Sequence, residues 1–144
     1  MSLRAIVYTS KAQPMLKPFD LDEILIEAMT RNQAERVTGV LLYDGQTFLQ
    51  YIEGAPDAIE RTYARICRSR RHRDIRVLWD AHVPERYFFK WSMACRNVDA
   101  SIIHTLEAAR WGRQYPHLAS DMQAPDGIAW LVDFWADTPG HTAM

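Results

Sequence analysis

Two β-rich runs joined by Asp44-Gly45 constrain this chain more than any other feature. They are Thr38-Gly39-Val40-Leu41-Leu42-Tyr43 and Gln46-Thr47-Phe48-Leu49-Gln50-Tyr51-Ile52-Glu53. Asp-Gly between such runs predicts a hairpin, because a tight type I′ turn needs positive φ at both central residues. The second run alternates Phe48, Gln50 and Ile52 on one face with Leu49 and Tyr51 on the other. Both faces are largely apolar, so a sheet containing this hairpin needs cover on both sides.

The flanking sequence supplies that cover. Leu3, Ala5 and Val7 alternate with Arg4, Ile6 and Tyr8, the pattern of a strand apolar on both faces. Pro14 and Pro18 block early helix formation. Asp20 is the expected N-cap, with Glu23 completing a capping box. Leu21, Ile24, Leu25, Ala28 and Met29 then recur at helical spacing as far as about Glu35. Gly54 ends the hairpin and Ala55-Pro56-Asp57 opens a second helix, whose face is Ile59, Thr62, Tyr63, Ile66 and Cys67. Strands expected at about Ile75 to Val83 and Lys90 to Val98 complete the order β-α-β-β-α-β-β.

The expected fold class is therefore α+β: a ferredoxin-like sheet with two helices on one face. In the tail, Ile103, Leu106 and Ala109 predict a helix from near Ser101, and Ile128, Leu131, Val132 and Trp135 predict another, with a loop over 115–125. Two helices cover only one face, so the tail is expected as a helical cap on the other. The organisation expected is a core over 1–98 and a C-terminal cap over 99–144.

Composition narrows function mainly by exclusion. A net charge of −1 on 144 residues gives no global field for direct nucleic-acid or anionic-membrane binding. No apolar run approaches the roughly 20 residues of a membrane span, and the first residues do not read as a signal peptide. Cys67 and Cys95 stand apart without a CxxC pair, so a reducing, cytoplasmic home and no metal site are expected. His72, His82, His104, His117 and His141 are scattered without partner spacing, and there is no nucleotide-binding glycine fingerprint. An enzyme is not expected.

Four kinds of residue could carry chemistry, and each alone has an ordinary explanation. Gln50 shares an apolar face with Phe48 and Ile52, where an unpaired carboxamide costs about 1–3 kcal/mol; equally, it could sit at an exposed strand edge. Tyr8 fits a core residue with its hydroxyl near water. Asn32 fits the end of the first helix. Trp91 and Met93 are expected to share a face of the last strand, as an aromatic–thioether pair in a core does.

Taken together, Tyr8, Asn32, the Thr38-to-Leu41 run, Phe48-Leu49-Gln50-Tyr51-Ile52-Glu53-Gly54 and Trp91-Ser92-Met93 form a pattern. In order and spacing, from about Ser2 to Val98, the chain resembles the BLUF family of flavin-dependent blue-light sensors. The F-x-Q-x-x-E-G and W-S-M motifs are specific in combination. The resemblance implies FAD as cofactor, with FMN or riboflavin as substitutes, its isoalloxazine ring lying between the two helices over the sheet. Asn32 would anchor the ring's carbonyl edge, and Gln50 would bridge the flavin and Tyr8. Tyr8 would donate an electron and a proton, and Trp91 and Met93 would respond to the Gln50 switch. Ile24, Leu41, Phe48 and Ile66 match the apolar lining of the ring pocket. Arg65, Arg71 and His72 match basic positions near the flavin's polar part, with Arg31 beside Asn32. Ser69 stands where relatives often carry an acidic residue. The other cations of the run, Arg68, Arg70 and Arg73, read as solvated charges at a helix C-terminus.

No effector domain is recognisable in the chain, so the resemblance also implies signalling to a separate effector. A cyclic-di-GMP phosphodiesterase or a transcriptional regulator would serve, with a homo-oligomer as the signalling form. The tail helices, with Trp111, Trp130 and Trp135, are the expected surface for assembly or relay. Two rival readings use the same scaffold: a small flavin reductase and a cofactor-free interaction module. Neither requires the full set Tyr8, Asn32 and Gln50.

Overall fold

The computed structural model describes residues 3–14, 17–111, 126–136 and 142–143. Ten elements follow in chain order: β1 (Leu3–Ala12), α1 (Pro18–Glu35), β2 (Thr38–Tyr43), β3 (Thr47–Gly54), α2 (Pro56–Arg68), β4 (His72–Val83), β5 (Ala94–Asn97), α3 (Ala100–Glu107), α4 (Gly127–Ala136) and the two-residue β6 (Thr142–Ala143). The strands form one mixed sheet in the order β4-β1-β3-β2-β5-β6. β2 and β5 pair in parallel and the other neighbours are antiparallel. β1–β4 with α1 and α2 make the ferredoxin-like α+β unit that the sequence pattern predicts.

The two-faced alternation of β3 organises everything else. All eight of its residues are buried, and it lies between β1 and β2. On one side Ile6, Tyr8, Leu41, Phe48 and Ile52 pack with Leu25 of α1 and Ile59 of α2. On the other side Val7, Val40, Leu42, Leu49 and Tyr51 pack with Ile103 and Leu106 of α3, Trp111, and Leu131 and Trp135 of α4. The tail helices therefore cover the face that α1 and α2 leave open, as the alternation requires.

Several local expectations are corrected. The hairpin connection is three residues long, and only Gly45 has positive φ, at 98°. Asp44 Oδ1 accepts hydrogen bonds from the Gln46 and Thr47 amides at 2.9 and 2.7 Å. This Asx arrangement satisfies the loop without the second positive φ of a type I′ turn. α1 starts at Pro18 rather than behind Asp20, because proline suits the first helical position. Asp20 is the third helical residue, and its Oδ2 accepts from the Lys17 amide at 2.9 Å. β4 begins at His72, three residues earlier than expected, with Asp74 at φ 56° beside an irregularity in the β1–β4 register.

The last core strand is shorter than the expected 90–98. It spans Ala94–Asn97, preceded by an irregular connection from β4. Of the tail tryptophans expected at a surface, Trp111 and Trp135 are only 3% and 2% exposed. They fill the interior between sheet and cap, while half-buried Trp130 stacks on Phe134 with centroids 5.2 Å apart. The loop expected over 115–125 lies outside the described residues. Among the described residues no helix is long and apolar enough to cross a membrane.

Candidate functional site

α1 and α2 reach the sheet through Leu25 and Ile59 but do not close on each other. A cavity of about 390 Å³ lies between them, floored by Tyr8, Leu41, Phe48 and Gln50 of the sheet. Ile24, Glu27, Ala28, Arg31 and Asn32 of α1 form one wall. Thr62, Arg65, Ile66 and Arg68 of α2, followed by Ser69, Arg71 and His72, form the other. Ile24, Ala28 and Arg31 fall at helical spacing, as do Thr62, Arg65, Ile66 and Ser69, so each wall is one helix face read in order.

Gln50 stands at the centre of the floor. It pairs with Tyr8 across the β1–β3 register and with Leu41 across β2–β3. The Tyr8 hydroxyl donates to Gln50 Oε1, and Gln50 Nε2 donates to Met93 Sδ at 3.6 Å. Burial, then the neighbouring Tyr63 and Cys67, pushes the Tyr8 phenol far above its ordinary value, so its proton stays on. Asn32 is 2% exposed, and its Nδ2 donates to the Ser92 carbonyl at 2.7 Å. That bond ties the end of α1 to the segment just before β5.

Two further groups define the site's character. Thr62 is 2% exposed, and its hydroxyl has no hydrogen-bond partner among the described residues. A buried orphan hydroxyl on a cavity wall carries a desolvation cost that a polar ligand atom would relieve. At the rim, Arg71 binds Glu27 at 2.8 Å. Arg65 is held below its ordinary value by partial burial and by the like charge of Arg31, so an anion entering there would relieve repulsion.

His72 is already committed at both ring nitrogens. Nε2 lies 2.9 Å from the Ile66 carbonyl and Nδ1 2.6 Å from Ser10 Oγ. A carbonyl only accepts, so Nε2 carries a proton. The ring bridges α2 to β1, tilted against the Tyr8 ring with the centroids 6.2 Å apart.

Tyr8, Ile24, Arg31, Asn32, Leu41, Phe48, Gln50, Arg65, Ile66, Arg71 and His72 thus meet around one cavity. Trp91 and Met93 do not share a face, contrary to the sequence expectation. β5 starts only at Ala94, so residues 91–93 are not strand and the period-two rule does not apply to them. Met93 turns inward to Gln50. Trp91 turns to the opposite side of the sheet, its ring 6.3 Å from those of both Phe88 and Trp135. Glu27, Ala28, Thr62, Arg68 and Ser69 also line the cavity and were missed as site residues. For Thr62 the signal existed, since it falls in phase with Ile59 and Ile66.

This lining suits a planar heteroaromatic ligand with an anionic tail. Apolar side chains flank the gap, carboxamides meet a polar edge, an orphan hydroxyl waits in the wall, and cations gather at the rim. Among the described residues no group of His, Cys, Asp and Glu could hold a metal ion.

The family described as BLUF, sensors of blue-light using FAD, matches residues 3–94. The photoactivated adenylate cyclase subunit beta of Euglena gracilis is 33% identical over 93 residues, 64% of this chain and 11% of that protein. The blue light- and temperature-regulated antirepressor BluF of Escherichia coli (strain K12) is 32% identical over 91 residues, 63% of this chain and 23% of that protein. The chain therefore spans no more than about a quarter of the length of these curated relatives. Among solved structures, the dark state of BlrB, a BLUF protein, superposes with a TM-score of 0.70 at 28% identity, covering 94% of this chain and 96% of that one.

Proposed function

The chain belongs to the BLUF family of blue-light flavin sensors, and on that premise we propose that it holds FAD between α1 and α2 and signals to a separate effector by rearranging hydrogen bonds at Gln50. The observation that carries this reading is the placement of Gln50, whose carboxamide is gripped by the Tyr8 hydroxyl and the Met93 sulfur while it lines the cavity.

A bound flavin supplies blue-light absorption and, when excited, a strong appetite for an electron. Everything else falls to the chain. Ile24, Leu41, Phe48 and Ile66 would flank the ring, Asn32 and Gln50 would meet its polar edge, and Arg31, Arg65 and Arg71 would face the phosphate end. FMN or riboflavin would share the ring contacts and lose some or all of the rim contacts. Tyr8 would give its electron and phenolic proton to the excited flavin and recover both on recombination, and Gln50 Oε1 already holds that proton's hydrogen bond.

Gln50 carries donors and an acceptor on one planar head, so turning or tautomerising it exchanges what it offers each neighbour. In the turned arrangement Nε2–H faces Tyr8, whose oxygen must accept. The Met93 sulfur then loses its donor, and the ligand's carbonyl edge meets a different hydrogen bond. A stronger bond donated to that edge shifts absorption to the red. No substrate is turned over.

The output is a change in contact with another chain. A transcriptional regulator is one candidate effector, in keeping with the antirepressor among the relatives; a cyclic-di-GMP phosphodiesterase is another. Residues 99–144 act as the cap through which the change leaves, in a homo-oligomer.

The test is an absorption spectrum of the purified protein in darkness, after blue light and during recovery, beside Gln50→Leu. A flavin spectrum that moves reversibly to the red in the parent and stays fixed in the variant is the expected result. Bound flavin that bleaches, or that reacts with a nicotinamide donor, would overturn the reading in favour of a reductase.

A further inference from the structure

Glu53, the acid of the F-x-Q-x-x-E-G motif, is not used by the switch described above, yet it is 0% exposed. It leaves β3 on the face of Tyr51, opposite Gln50. A carboxylate has two lone pairs on each oxygen, and here each oxygen takes two donors. Oε1 accepts from the Tyr51 hydroxyl at 3.0 Å and the Tyr87 amide at 2.7 Å. Oε2 accepts from the Thr38 hydroxyl and the Phe88 amide, both at 2.8 Å. Arg86 adds a bond to the Glu53 carbonyl at 3.3 Å.

Tyr87 and Phe88 belong to the connection between β4 and β5, which also carries Met93. Without strand pairing of its own, this connection is held at both ends. Glu53 grips Tyr87 and Phe88, while farther on the Gly39 amide donates to the Trp91 carbonyl at 3.1 Å and Asn32 to that of Ser92. The strand that presents Gln50 to the cavity therefore also holds, from its reverse side, the segment that lays Met93 against Gln50.

We propose that Glu53 is the positioning residue for Met93: by binding the Tyr87 and Phe88 amides it fixes the segment that sets the thioether beside the Gln50 carboxamide. Its functional meaning rests on the blue-light reading, because a fixed sulfur favours the arrangement in which Gln50 Nε2 points at Met93. Glu53→Gln breaks this grip with little change of shape. Whichever way the new amide sits, its NH₂ faces either the Tyr87 or the Phe88 N–H, and neither backbone group can turn to accept.

The experiment is NMR on the purified protein in darkness, following amide hydrogen exchange, the Met93 methyl group and the Gln50 side-chain amide. In the parent, the Tyr87 and Phe88 amides should exchange at least about tenfold more slowly than unprotected loop amides. In Glu53→Gln that protection should be lost, and the Met93 and Gln50 resonances should move or broaden. Thr38→Val removes one bond to Glu53 but keeps both amides, so it should leave the Met93 and Gln50 resonances in place even if stability falls. Unmoved resonances in Glu53→Gln, or equal movement in Thr38→Val, would overturn the proposal. Fast exchange of Tyr87 and Phe88 in the parent would do the same, even if Glu53→Gln fails to fold. A protein lacking flavin or a red shift would sink the sensor reading and leave this result standing. A red-shifting protein whose Met93 ignores Glu53 would sink only the positioning role.

Discussion

Among the described residues the two faces of the sheet are built from the same strands and each is covered by two helices, yet one holds a cavity and the other is packed with large side chains. On the closed face, large rings meet one another: Trp79 stacks on Trp111 at 6.4 Å, and Phe88 meets Trp135 edge-on at 6.2 Å. Gly127 packs so tightly there that an added Cβ would lie 2.5 Å from the Trp111 ring. On the open face Ile24 and Ile66 share the helix walls with small or polar residues, such as Ala28, Asn32 and Thr62. A layer closes when its side chains reach its partner, and it opens when they are short and hydrophilic. Shape is thus written in the helices, while the strands supply both floors impartially.

The comparison depends on a common spine, and the largest expected effect comes from breaking it. Gly39→Ala would place a Cβ 2.0 Å from the Tyr51 carbonyl oxygen, so β2 and β3 could not keep their register. A loss of about 4 kcal/mol or more is expected, with circular dichroism and urea titration showing both faces failing together. Separate unfolding of one face would show that the spine is not shared.

A direct contrast between the faces comes next. Leu131→Ala on the closed face should cost about 2–5 kcal/mol, because Leu131 is 0% exposed within packed neighbours. Ile24→Ala, on a wall that already borders empty space, should cost less than about 1 kcal/mol in flavin-free protein, since little new cavity forms. Urea midpoints of the two variants decide it, and equal losses would mean that the open face is as tightly packed as the other.

The smallest effect tests how dry each face is. Tyr8 on the open face and Tyr51 on the closed face both have phenols pushed far above their ordinary value, chiefly by burial. Unfolded tyrosines lose their protons near pH 10, whereas these two keep theirs when folded. The native state then binds more protons than the unfolded one, so stability is intact below about pH 10 and falls as pH rises above it. Each such group contributes a slope that grows through about pH 10 toward a limit of about 1.4 kcal/mol per pH unit. Tyr8→Phe should remove the Tyr8 contribution, read from urea midpoints between about pH 9 and 11. An unchanged slope would mean that water in the cavity already reaches the Tyr8 hydroxyl.

Much of this architecture was legible because it follows from short-range periodicity. The alternation in Phe48-Leu49-Gln50-Tyr51-Ile52 assigns each side chain to a face and calls for two covering layers. Helical spacing put Ile24 on the apolar face of the first helix and Ile66 on that of the second. Arg31, Asn32 and Arg65 were assigned to the walls only by the family resemblance. Reading failed where a long-range contact overrides the local pattern. Trp91 and Met93 look like strand neighbours of one parity. The Tyr87 and Phe88 amides ahead of them, however, bond the side chain of Glu53, some 34 residues away, rather than a neighbouring strand, and pairing with β2 starts at Ala94. The strand can then begin only at Ala94, and the two side chains part to opposite sides. The hairpin loop failed for a related reason, since the Asp44 carboxylate supplied bonds that backbone geometry was expected to supply. Thr62 was assigned to the buried face, yet no local pattern reveals that its hydroxyl faces a void.

Because β3 is buried along its whole length and bonded on both edges, its backbone has nowhere to go. If Gln50 is the switch proposed above, its signal must leave through a side chain exchanging partners, not through chain travel. Exchanges of this kind are small in free energy: one net hydrogen bond amounts to about 0.5–1.5 kcal/mol, and couplings between sites typically reach about 1–3 kcal/mol, or about 5–150-fold in an equilibrium. A sender of that strength can tip a receiver only if the receiver already stands close to its own balance point. On the proposed reading, the demand for a finely poised partner is set inside this chain, by how firmly one strand is pinned.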